Sequence, residues 1–121
     1  MRAGMLRIFE KLRHFIASMW PWHARRRFDS FNSVVTVEPT ASTLPKPGQL
    51  LIVASGDKAK WVRMLCPCGC RELLALNLMG SHSPRWTTTR DVADRLTVHP
   101  SVHSTTCGAH FFIRSNRIEW C

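Results

Sequence analysis

The chain has 121 residues, 45% of them hydrophobic, which suits one domain with a modest core and excludes both wholesale disorder and a second sizeable domain. Its formal net charge is +9, and most of that sits at the front: residues 1–27 carry Arg2, Arg7, Lys11, Arg13, Arg25, Arg26 and Arg27 against Glu10 alone. No apolar run approaches the length of a membrane span, and the first residues lack the continuous apolar stretch of a secretory leader, so the expected compartment is the cytoplasm.

Residues 5–20 read as an amphipathic helix. Met5, Ile8, Phe9, Leu12, Phe15, Ile16 and Met19 recur at three- and four-residue spacing, with Arg7, Glu10, Lys11, Arg13 and His14 on the other face and Pro21 as the stop. Such a helix either packs on the domain's own core or lies on an anionic membrane surface, its basic face toward the headgroups. Residues 1–27 are therefore read as a basic helix and linker, and residues 28–121 as the folded domain.

From Phe28 the texture is β. The run Val34-Val35-Thr36-Val37 predicts a strand over Phe31–Val37, stopped by Pro39. Pro45-Lys-Pro47-Gly48 leads into Leu50–Ala54, and the polar tip Ser55–Lys58 turns back into Trp61–Leu65 as a hairpin. Leu73–Leu78 is the next strand, Trp86–Thr89 a weaker one, and Leu96–Val98 a short one that Pro100 stops. Phe111–Ile113, the Ser115-Asn116 turn and Ile118–Trp120 form a last hairpin. The expected fold is mainly β: a small zinc-knuckle or zinc-ribbon-like domain of antiparallel hairpins, preceded by the N-terminal amphipathic helix.

The metal expectation comes from five cysteines, three of them within Cys66-Pro-Cys68-Gly-Cys70. Thiols this close do not pair readily as disulfides, and together with a distant Cys107-x-x-His110 they read as one structural Zn2+ site in a reducing compartment. The candidate ligands are Cys66, Cys68, Cys70, Cys107 and His110. Tetrahedral zinc takes four, and spacing ranks Cys66, Cys70, Cys107 and His110 first because the Cys-x-Cys bite is tight, with Cys68 in reserve.

Those residues carry a resemblance. Leu65-Cys-Pro-Cys-Gly-Cys70, Pro100-Ser101 and the ending Cys107-x-x-His110-Phe-Phe-Ile-Arg…Arg117-Ile-Glu-Trp120 resemble a family of short bacterial proteins encoded beside ubiquitin-like modifiers and their activating and conjugating enzymes. The resemblance covers residues 45–121 and marks Trp86, Pro100, Ser101, Cys107, His110 and Trp120. It implies a partner in a ubiquitin-like pathway, either the modifier or its enzymes, and leaves hydrolase activity open.

Three functions compete. A zinc-stabilised protein-interaction or accessory module needs nothing beyond the features above, and it is the reading the sequence favours. A Ser/His hydrolase that processes or deconjugates a ubiquitin-like protein would use Ser101 as nucleophile with His103, His110 or His99 as base, oriented by a third group such as Asp91 or Asp94. His110 is free for that role only if Cys68 completes the metal site. A nucleic-acid-binding zinc ribbon would use Arg63, Arg71, Arg85 and Arg90, but residues 28–121 carry ten basic against seven acidic side chains, a thin surplus for that purpose.

Overall fold

In the computed structural model, which describes residues 27–40 and 43–121, the β texture resolves into eight strands. They are β1 (Ser33–Val37), β2 (Gln49–Ser55), β3 (Lys58–Leu65), β4 (Leu73–Asn77), β5 (Thr87–Arg90), β6 (Leu96–His103), β7 (His110–Arg114) and β8 (Arg117–Trp120). The amphipathic segment 5–20, and with it the membrane-surface expectation, lies outside the described residues. No helix among the described residues is long and apolar enough to cross a membrane.

Two four-stranded sheets result, ordered β1-β2-β3-β4 and β5-β6-β7-β8. Each strand of the second sheet runs antiparallel to its neighbours, but β1 lies parallel to β2, which antiparallel hairpins alone would not produce. The physical reason is the connection: residues 38–48, with Pro39, Pro45 and Pro47, are long enough to return the chain to the end where it started. Gly48 closes that return at φ +78°, where a Cβ would sit 3.1 Å from the Asn32 Oδ1 atom. The fold is mainly β, as expected, and its described strands form two sheets of four.

Alternation decides what each sheet contributes to the interior. Leu50, Ile52, Ala54, Val62, Met64 and Leu76 from the first sheet join Leu96, Val98, Val102, Phe111, Ile113 and Ile118 from the second in one buried cluster. β2 is buried on both faces, as its unbroken apolar run requires. Leu51 and Val53 point away from the shared core, beside their register partners Arg63 and Trp61 on β3 and Val35 and Val37 on β1. Asn116 makes the β7–β8 turn at φ 64°, a conformation asparagine tolerates, and its Oδ1 accepts the Leu96 amide at 2.7 Å.

The strand that departs most from expectation is β6. It does not stop before Pro100 but runs on to His103, because the ladder with β7 shifts register between Val98↔Ile113 and Val102↔Phe111. His99, Pro100 and Ser101 all fall opposite Phe112. Such a bulge removes the demand for a ladder N–H, which is where a proline fits inside a strand.

One core spanning both sheets means that a hole made in the first sheet weakens the whole domain. Leu50→Ala is expected to lower unfolding free energy by about 2–5 kcal/mol in a single cooperative denaturant transition. A two-step transition, or a loss below about 1 kcal/mol, would show that the sheets do not share one core.

Candidate functional site

The described residues form two side-chain clusters: one joins the β3–β4 turn to the β6–β7 loop, and the other lies on the strands that this loop connects. Cys66, Pro67, Cys68, Gly69 and Cys70 form the tight turn between β3 and β4, closed by the Cys66 amide donating to the Glu72 carbonyl at 2.8 Å. Gly69 takes φ 91°, the conformation that lets three cysteines face inward in five residues. Cys107 comes from the β6–β7 loop, which folds on itself through Ser104 N to Ala109 O and Gly108 N to Ser104 O, both 2.8 Å.

The Sγ atoms of Cys66, Cys68, Cys70 and Cys107 all lie within 4.8 Å of one another. Cys66–Cys68, Cys66–Cys107 and Cys68–Cys107 are separated by 3.5, 3.6 and 3.7 Å. These distances are far from the ~2.05 Å of a disulfide, and near the ~3.8 Å edge of a tetrahedron built from ~2.3 Å metal–sulfur bonds. The four thiols can hold a metal ion. His110 is not part of this group: Cys68, held in reserve by the spacing argument, takes the place in the cluster that the Cys107-x-x-His110 pairing gave to the histidine.

Burial and hydrogen bonding act on these thiols in opposite directions. Burial pushes the Cys66 thiol far above its ordinary value and the Cys70 thiol up to about 11. Burial acts on Cys107 in the same direction, but hydrogen bonds from the Ser104 side chain, the Ala109 amide, Cys66 and Cys70 outweigh it and bring that thiol down to about 7.

His110 faces the other cluster. Val102 and Phe111 point into the core, so their strand neighbours Ser101, His103 and His110 stand together on the outer face of the second sheet. Ser101 Oγ lies 2.9 Å from His110 Nε2, a hydrogen bond in which the hydroxyl donates when that nitrogen is unprotonated. The His103 ring packs on His110 with centroids 5.1 Å apart and planes at 32°.

No carboxylate orients His110 among the described residues. Asp91 accepts the Ala93 and Arg95 amides at 2.9 and 3.0 Å and the Arg95 guanidinium at 2.8 Å, bonds that hold its carboxyl below the usual range. Asp94 is paired with Arg90 at 2.8 Å, so that arginine of the expected basic patch is already engaged. His99 points to neither cluster by hydrogen bonding.

Sequence reasoning missed what holds the serine. The Trp86 indole N–H donates to the Ser101 carbonyl at 3.2 Å, and the Trp86 amide donates to the Asn77 carbonyl at 2.8 Å. Buried Asn77 in turn gathers the intervening loop, donating from Nδ2 to the Met79, His82 and Pro84 carbonyls and accepting the Met79 amide. Nothing in the residue types Asn-x-Met and Trp-Thr-Thr announces this brace before the fold is known.

A hydroxyl–imidazole pair on an open sheet face is the pairing that a serine nucleophile makes with a histidine base, and the four thiols can hold a metal ion. A family model described as bacterial ubiquitination-like system serine protease (BubE) matches residues 36–121, and the chain belongs to that family. No curated protein matches the chain, and neither does any solved structure.

Purified protein is expected to hold about one divalent ion per chain, and Cys68→Ser and Cys107→Ser to lose it equally. Acidification to about pH 5 should release the ion as the thiolates take protons back. Retained metal in Cys68→Ser, measured by elemental analysis, would return His110 to the ligand set.

Proposed function

We propose that this protein is a serine hydrolase that cleaves the acyl bond at the C-terminal end of a ubiquitin-like protein. The observation that carries the reading is the 2.9 Å contact between Ser101 Oγ and His110 Nε2, in a chain of a serine protease family. Ser101 attacks the carbonyl carbon while His110 takes the hydroxyl proton at Nε2, and the same imidazolium then gives that proton to the departing amine. The acyl group stays on Ser101 Oγ until a water, deprotonated by His110, releases the carboxylic acid and restores the hydroxyl.

With no carboxylate on His110 among the described residues, the pair works as a dyad. His103 limits how far the His110 ring can turn, and Trp86 fixes the backbone that aims Ser101. The accessory-module reading leaves the serine–histidine contact without a purpose, and for that reason it takes second place.

The ion in the thiol cluster is inferred to be Zn2+, on the grounds of four sulfur donors at near-tetrahedral spacing. A closed set of four thiolates leaves no open coordination position, so its part is structural: it ties the β3–β4 turn to the loop that delivers His110.

Cleavage of a C-terminally extended ubiquitin-like protein should fall at least about a thousandfold in both Ser101→Ala and His110→Ala, with unchanged thermal midpoints. His103→Ala should cost less, since His103 touches the base and not the substrate bond. A serine-reactive phosphonate should label Ser101 in the wild-type chain. Undiminished cleavage by Ser101→Ala, or labelling only elsewhere, would take the nucleophile's role from Ser101, and a wild-type chain that neither cleaves nor labels would restore the accessory module as the better reading.

A further inference from the structure

The strand that carries the nucleophile outruns its neighbour. β5 pairs with β6 from Arg90↔Leu96 to Thr87↔His99 and goes no further, whereas β6 continues to His103. Ser101, Val102 and His103 thus form a stretch of sheet edge past the end of β5.

Which backbone groups face that edge follows from hydrogen bonds on the far side. The His110 carbonyl accepts the Cys121 amide at 3.0 Å, so His110 spends its main-chain groups toward β8. Its neighbour Phe111 then faces β6, where its register partner is Val102. By alternation the N–H and C=O of Ser101 and His103 point the other way, toward the side β5 has left. The Ser101 carbonyl confirms this direction, because the Trp86 indole reaches it from the segment that precedes β5. Among the described residues no bridge or backbone hydrogen bond meets His103 on that side. His103 is exposed and Ser101 partly so.

We infer that the open edge of β6 at His103, next to Ser101, docks an extended peptide segment, the C-terminal tail of a ubiquitin-like partner, by strand pairing. This rests on the hydrolase reading of the same site. A residue paired with His103 would lie two strand residues, about 6–7 Å, from Ser101, so the tail residues just beyond that pairing reach the outer-face hydroxyl past the Trp86 indole. Edge pairing also decides the class of substrate. Main-chain hydrogen bonds give affinity for any extended chain and little for a folded surface, so the site takes a protruding tail whose last residues are free of structure. Because the Trp86 indole already occupies the Ser101 carbonyl, the pairing is limited to the groups that remain, chiefly the N–H and C=O of His103.

The test uses the full wild-type chain and a synthetic peptide with the last eight or so residues of the ubiquitin-like protein from the same system, as the free acid and as a fluorogenic amide. Amide hydrogen exchange is followed at His103 on adding the free acid, and a series of peptides singly N-methylated along the backbone is titrated. The expected result is slowed exchange at His103, and about tenfold weaker binding when one particular tail residue is N-methylated but not when either neighbour is. Cleavage of the amide with no protection of His103, or with equal sensitivity to N-methylation at adjacent residues, would overturn edge docking and leave the hydrolase standing. Protection at His103 without any cleavage would uphold the docking and sink the hydrolase. Neither cleavage nor protection would remove both.

Discussion

The arrangement hangs on four thiols that join two turns from different sheets. Cys66, Cys68 and Cys70 belong to the β3–β4 turn and Cys107 to the β6–β7 loop, so an ion among them closes the end of the molecule where both sheets stop. Without one, the sulfurs at 3.5–3.7 Å have only weak thiol hydrogen bonds to hold them, and Cys66 is buried. Structural zinc supplies an apparent ~10–16 kcal/mol in small domains, as much as the whole stability of a typical fold. That comparison makes the proposed metal decisive for a chain of 121 residues.

The same staple reaches the proposed chemistry through covalent geometry. Cys107 lies on the β6–β7 loop, closed by the Ser104–Ala109 and Gly108–Ser104 bonds, and His110, three residues on, opens β7. Holding Cys107 therefore fixes where β7 begins and where the imidazole stands. The serine is fixed independently: the β6 bulge turns Ser101 to the outer face, and the brace from Asn77 through Trp86 grips its carbonyl. Each partner of the 2.9 Å contact is thus tied back to the first sheet by its own route. In the proposed chemistry, an ion among the thiols would tie the base, and hydrogen bonds tie the nucleophile.

Much of this was legible in the residues. The strand runs Leu50–Ala54, Trp61–Leu65, Leu73–Leu78, Phe111–Ile113 and Ile118–Trp120 each mark an observed strand, because β-branched and large apolar side chains bounded by Gly, Pro and Asn leave little else for the chain to do. The cysteine cluster was legible too, since chance does not place three thiols in five residues. The choice between Cys68 and His110 was not, because spacing constrains a turn but says nothing about which face a residue takes. The period of β7 held the answer: with Phe111 and Ile113 buried, His110 must point outward, away from a turn that faces in. The β6 bulge stayed hidden because Pro100 looks like a stop in any strand, and only a partner strand reveals that its missing N–H is not wanted there.

Placing chemistry on the outer face of a sheet carries a cost that this fold meets in a particular way. An exposed imidazole keeps many orientations in water, and serine hydrolases commonly restrict it with a buried carboxylate. Here Asp91 and Asp94 are already committed to Arg95 and Arg90 at the β5–β6 turn, at the other end of β6 from His103. Among the described residues, what bears on the His110 ring is instead a flat neighbour, the His103 ring, and the closed loop that precedes β7. A ring contact orients without adding negative charge, so it offers the imidazolium less stabilisation than a carboxylate would. Such a site depends more heavily on substrate being held in register, and the unpaired edge of β6 lies where that holding would have to occur.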